Sequence, residues 1–165
     1  MVKQREFPTD ILINGKESTD YYRDSFSVQV NRNELSSVDV YHAIFGYMPK
    51  PVQVAMDIRN VVMTRLGFKG ATSNMSLPLD EIKEGEKAGF LTFELVSEKE
   101  VVTSSSEKNM DLWLSVAKLS DDEFAVSTLV NLKTRSGKIY MSFIKPFHKV
   151  VATYSIRSAL KSGRI

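Results

Sequence analysis

Asp111-Leu-Trp-Leu-Ser-Val-Ala-Lys-Leu119, Phe124-Ala-Val-Ser-Thr-Leu-Val-Asn-Leu132 and the run from Ser136-Gly137 to about Lys161 decide the fold of this chain. The first two are rich in apolar and β-branched residues and are joined by the polar turn Ser120-Asp-Asp-Glu123. They read as two consecutive strands. The third reads as one long helix. Its apolar residues Tyr140, Phe143, Ile144, Phe147, Val150, Val151 and Tyr154 recur at helical spacing and predict one continuous stripe. A helix this long and one-sided needs a broad apolar surface to lie on. In a chain this short, that surface is a sheet. A cavity can form between helix and sheet, so the architecture points to a small-molecule binder.

The pattern extends upstream. Phe90–Val96 and Glu100–Ser106 read as a further strand pair. Before them, Lys69 to Ala88 is polar and loop-like, of a length typical of lids and binding loops. Tyr21–Val30 alternates at Tyr22, Asp24, Phe26, Val28 and Val30 and reads as the first strand. Ser36 or Ser37 caps a short helix with Asp39 in its first turn, and Gly46, Pro49 and Pro51 end it. A second helix is expected from about Val52 to Leu66, with Val54, Ile58, Val61, Val62 and Leu66 turned inward. Residues 1–19 lack periodicity apart from Ile11-Leu-Ile13 and read as an irregular N-terminal segment. The order is strand, two short helices, several antiparallel strands and one long helix. That order predicts an α+β fold: a curved antiparallel sheet wrapped on a long C-terminal helix, helix-grip-like, in a single domain over 1–165.

Composition narrows the class. A chain of 165 residues suits one domain that buries roughly 70% of its unfolded surface. There is no cysteine, which excludes disulfides, thiolate ligands and a cysteine nucleophile and fits a reducing cytosol. Met1–Pro8 is polar and predicts no secretory signal, and no window approaches ~18 apolar residues, so a cytoplasmic chain without a transmembrane segment is expected. The net charge of +2 conceals an asymmetry, because no acidic residue follows Glu123. Lys133, Arg135, Lys138, Lys145, Lys149, Arg157, Lys161 and Arg164 all lie beyond it. This basic block either pairs with acidic residues from the first part of the chain or forms an anion-attracting face. Its residues lack interleaved exposed aromatics, which argues against nucleic acid.

Tyr22-Arg-Asp-Ser-Phe-Ser-Val28, Asp111-Leu-Trp-Leu-Ser115, Ser127-Thr-Leu-Val130, Arg135-Ser-Gly-Lys-Ile-Tyr140 and Ile144-Lys-Pro-Phe-His148 resemble the bacterial family called domain of unknown function 2867. The resemblance spans roughly residues 20 to 160, and Gly137, Tyr140 and Lys145-Pro-Phe-His148 are its most specific part. It implies a small cytoplasmic domain related to the helix-grip, lipid-transfer-like superfamily (START/Bet v 1-like, SRPBCC). That superfamily includes binders, cyclases and hydrolase regulators, so the resemblance implies a fold and leaves the activity open. The family tends to carry histidine or asparagine in a polar stretch between Val130 and Gly137. Here that stretch is Asn131-Leu-Lys-Thr-Arg-Ser136, and a role for a histidine there does not transfer.

The candidate ligand-binding residues are Asp24, Asp111, Trp113, Tyr140, Phe143, Phe147 and His148. Asp24 shares a strand face with Phe26 and Val28, so an inward carboxylate must find a partner or stay protonated. Asp111 and Trp113 share a face, and indole with carboxylate suits a ligand with an apolar body and a polar end. His148 follows Phe147 of the helix stripe and is a candidate proton acceptor or ligand contact. Pro146 lies inside the helix pattern and predicts a bend. The two histidines, His42 and His148, have no metal-ligand spacing, and no phosphate loop or nucleophile elbow is present. No metal and no cofactor is therefore expected. Three functions compete: a carrier of a small hydrophobic ligand, an acid–base enzyme using the same cavity, and an interaction module that docks through the basic helix or a sheet edge.

Overall fold

A computed structural model describes residues 1–68 and 76–165. Among these described residues, seven antiparallel strands form one sheet in the order β1-β2-β7-β6-β5-β4-β3. The strands are β1 (Val2–Gln4), β2 (Tyr21–Gln29), β3 (Lys87–Ala88), β4 (Leu91–Val96), β5 (Glu100–Ser106), β6 (Met110–Lys118) and β7 (Glu123–Leu132). The helices are α1 (Ser37–Phe45), α2 (Lys50–Arg65) and α3 (Arg135–Lys161). The fold is α+β and helix-grip-like, as expected. Between Lys69 and Ala88 the chain forms a 3-10 turn at Leu79–Glu81 and the strand β3, and 69–75 lie outside the described residues.

Side chains alternate across the sheet, and both faces are covered. Phe26 and Val28 of β2, Val116 of β6 and Phe124 and Val126 of β7 point to the helices, where Val40, Tyr41, Ile44 and Ile156 meet them. The opposite face is covered by the N-terminal segment. There Ile11 and Ile13 bury Val102, Ala117 and Leu129, with Phe7 and Trp113 packed at the margin. The segment is pinned by polar groups: the Leu12 amide donates to both Glu100 carboxylate oxygens at 3.1 Å, and Asn131 Nδ2 donates to the Lys16 carbonyl at 2.9 Å. Residues 1–19 are thus structural, and Val2–Gln4 add an edge strand, β1, that aperiodicity concealed.

Local signals explain the helix starts. Ser36 accepts from the Asp39 amide while Asp39 accepts from the Ser36 amide, a reciprocal cap for α1. Thr134 caps α3 by accepting from the Gly137 amide at 3.2 Å and donates to Asn109 Oδ1 at 2.7 Å. Gly137 is needed there: a Cβ at this position would stand 2.5 Å from the Asn109 carbonyl oxygen. The helix runs unbroken through Pro146.

The face that α3 turns inward differs from the expected stripe. Tyr140, Met141, Ile156 and Ala159 are buried, while Phe143, Phe147 and Val150 are 62%, 60% and 68% exposed and Tyr154 is also exposed. Large residues one position before Ile144 and His148 sit about 100° around the helix and miss the sheet. The small residues Gly137, Ser155 and Ala159 are buried instead. α2 shows the same inversion. Val54, Ile58 and Val61 are exposed, and Val52 and Met63 are its buried residues. Among the described elements, α2 packs chiefly on α3 and scarcely touches a strand.

Candidate functional site

A cavity of about 180 Å³ lies between the sheet, α2 and α3. Its floor is Leu112 and Leu114 of β6 and Val126, Thr128 and Val130 of β7. Its walls are Val52, Ala55, Met56 and Arg59 of α2 and Tyr140, Met141, Ile144, Phe147, His148 and Val151 of α3. Met48, Met56, Met110 and Met141 all line it, which gives an adaptable apolar surface. The size exceeds the roughly 150 Å³ cavity that admits benzene and falls below the ~300–1,000 Å³ of drug-sized sites. A single ring or a short chain fits. Phe147 both lines the cavity and is largely exposed, so it stands at the mouth between α2 and α3.

Two basic side chains break this mostly apolar lining. One is His148, whose Nε2 lies 3.3 Å from Oδ1 and 3.2 Å from Oδ2 of Asp24. Asp24 is buried and also accepts from the Tyr22 hydroxyl at 2.6 Å. Burial, reinforced by that carboxylate, pushes the Tyr22 phenol well above the usual range, so it remains a donor. The imidazole edge also meets the Tyr22 ring at 5.9 Å between centroids. Tyr22, Asp24 and His148 therefore form one hydrogen-bonded chain, with the histidine at the cavity and the carboxylate behind it. A histidine held this way can take a proton from a bound molecule, the carboxylate stabilising the resulting cation.

The second basic side chain is Arg59, which sequence reasoning left without a role. Its Nε donates to the Tyr140 hydroxyl at 2.9 Å and Nη1 donates to Asn60 Oδ1 at 3.1 Å. Its guanidinium lies 4.8 Å over the Phe90 ring. Arg59 does not reach Asp24, because α2 meets α3 at Tyr140, a full two turns before His148. Burial raises the Tyr140 phenol, partly opposed by Arg59.

The seven candidate residues divide accordingly. Tyr140, Phe147 and His148 line the cavity, and Asp24 holds His148 from behind. Phe143 lies on the solvent side of α3. Asp111 and Trp113 are corrections. The even-numbered residues Leu112 and Leu114 of β6 face the cavity, so Asp111 and Trp113 point to the other side of the sheet. There Asp111 pairs with Lys133 at 2.6 Å and accepts from Ser106. Trp113 packs beside the N-terminal segment with Lys16 5.8 Å over its ring. Among the described residues, no group of His, Cys, Asp and Glu could hold a metal ion, and no helix is long and apolar enough to cross a membrane.

A sheet gripping a long C-terminal helix around an apolar cavity defines the helix-grip class of protein. Within it, the chain belongs to the family described as protein of unknown function (DUF2867), which matches residues 18–155. No curated protein matches the chain. Among solved structures, it is similar to a point mutant of Thalictrum flavum norcoclaurine synthase in complex with a transition-state analogue. That likeness has a TM-score of 0.36 and 12% identity and covers 88% of this chain and 98% of the other.

Proposed function

We propose that this protein binds a small hydrophobic or amphipathic molecule in the cavity between the sheet, α2 and α3. The observation that carries the reading is the cavity itself: about 180 Å³ of apolar, methionine-rich space with a mouth at Phe147. A void of this size left empty would cost several kcal/mol relative to a filled core. Tyr140, Phe147 and His148 are the proposed contacts, with Asp24 orienting His148. The test is native mass spectrometry of the protein from its own host, repeated on Ala55→Trp, which fills the cavity. A co-purifying small molecule that disappears in the variant supports the reading. A ligand retained unchanged in Ala55→Trp would place binding elsewhere.

The His148–Asp24 contact favours a second reading, acid–base chemistry on the bound molecule, with His148 as the base. A ligand recovered in two forms related by proton transfer, with interconversion lost in His148→Gln, would separate this enzyme from a carrier. Retention of one unchanged ligand would leave the carrier.

A further inference from the structure

We propose that the molecule held in the cavity is an organic acid whose carboxylate is bound by Arg59 and Tyr140. The inference rests on the reading of the cavity as a ligand site and adds the chemistry of the ligand's polar end.

Arg59 is a half-buried cation lining an otherwise apolar cavity. Among the described residues, no carboxylate lies within 4.0 Å of it: the ion pairs of this chain are made by Arg5, Arg23, Lys118, Lys133, Lys138 and His148. The undescribed stretch, Lys69-Gly-Ala-Thr-Ser-Asn-Met75, contains no Asp or Glu and so has no anion to offer. A guanidinium withdrawn from water without a counter-ion is costly. It is retained here in a position where a ligand can neutralise it.

The donors are also arranged for such a ligand. Nη2 of Arg59 makes no hydrogen bond among the described residues. The Tyr140 hydroxyl accepts from Arg59 Nε, and no acceptor for its own proton appears among the described residues. Its phenol is held protonated by burial. The cavity thus offers a guanidinium edge and a neutral O–H side by side. A carboxylate, with two acceptor oxygens and a negative charge, satisfies both donors and the cation, while an alcohol or amide accepts hydrogen bonds but brings no charge. Phe90 holds its ring 4.8 Å from the guanidinium carbon, a cation–π contact that helps keep the group in place. Asp24 is engaged by His148 and the Tyr22 hydroxyl, and the carboxylate felt at Tyr140 is Glu107, which adds to burial in keeping that phenol protonated.

The experiment is calorimetric titration with octanoate and, separately, 1-octanol, which share an apolar chain and differ at the head. The expected result is a preference for octanoate of about ten- to a hundredfold. That preference should collapse in Arg59→Met and be partly restored in Arg59→Lys, with Tyr140→Phe giving an intermediate loss. Urea unfolding of each variant establishes that it is folded. Equal affinity for acid and alcohol in the wild type, unchanged in Arg59→Met, overturns the inference while leaving the cavity as a ligand site. If neither compound binds the wild type, and Ala55→Trp binds its host ligand as before, the cavity reading fails together with the inference.

Discussion

The imidazole of His148 and the carboxylate of Asp24 lie 3.2 Å apart, although 124 residues separate them in the chain. The contact ties the middle of α3 to β2 at the cavity wall. Replacing Asp24 with Leu would leave both the Tyr22 hydroxyl and His148 without their partner. A loss of about 1–3 kcal/mol is expected in urea unfolding. A double-mutant cycle with His148→Phe should give a coupling energy above about 0.5 kcal/mol. Strict additivity would mean that the two groups touch without supporting each other.

Alkaline pH should reveal the buried phenols. Burial raises Tyr41 to about 12 and also raises Tyr22 and Tyr140. A raised phenol favours the folded state while it is protonated. Its contribution is therefore complete below the unfolded value of about 10 and is lost as pH climbs from there through the folded value. Tyrosinate absorbance should show a late phase near pH 12 that coincides with unfolding. Ionisation of every tyrosine in one early phase would contradict the burial of Tyr41.

The rotation of α3 can be tested by contrasting neighbours. Phe143→Ser should change stability by less than about 0.5 kcal/mol, because Phe143 faces solvent. Met141→Ala, two residues earlier, should cost about 2–5 kcal/mol. The reverse order would restore the stripe through Phe143 as the buried face.

Gly137→Ala should destabilise the fold by about 1–3 kcal/mol even though alanine favours helix. The added methyl would stand 2.5 Å from the Asn109 carbonyl and force the start of α3 away from the β5–β6 turn. A neutral or stabilising result would show that this turn yields freely.

Much of the architecture was legible because strands and helices announce themselves by period. Direction was harder to read. In β6 both alternate sets, Leu112-Leu114-Val116 and Trp113-Ser115-Ala117, can be buried, so alternation identified the strand without saying which side met α3. The stripe on α3 misled for a related reason. Large apolar size does not mark the buried face of this helix: Phe143, Phe147 and Val150 are exposed while Gly137, Ser155 and Ala159 are buried. Their recurrence was the available signal. At the site, His148 and Asp24 were recognised separately, but their pairing depends on tertiary placement of α3 across β2. Arg59 carries no sequence signal of its own, because a lone arginine on a helix ordinarily faces solvent.

α2 takes no part in strand pairing and leans chiefly on α3, yet it supplies one wall of the cavity. Its 16 residues can therefore loosen while every ladder of the sheet remains closed. Amide exchange in α2 should run ahead of exchange in β7, which is buried along nearly its whole length. On the proposed reading, passage at the Phe147 mouth would be widened by this local equilibrium rather than by global unfolding. Substitutions that tighten α2 would slow ligand exchange without raising the melting temperature.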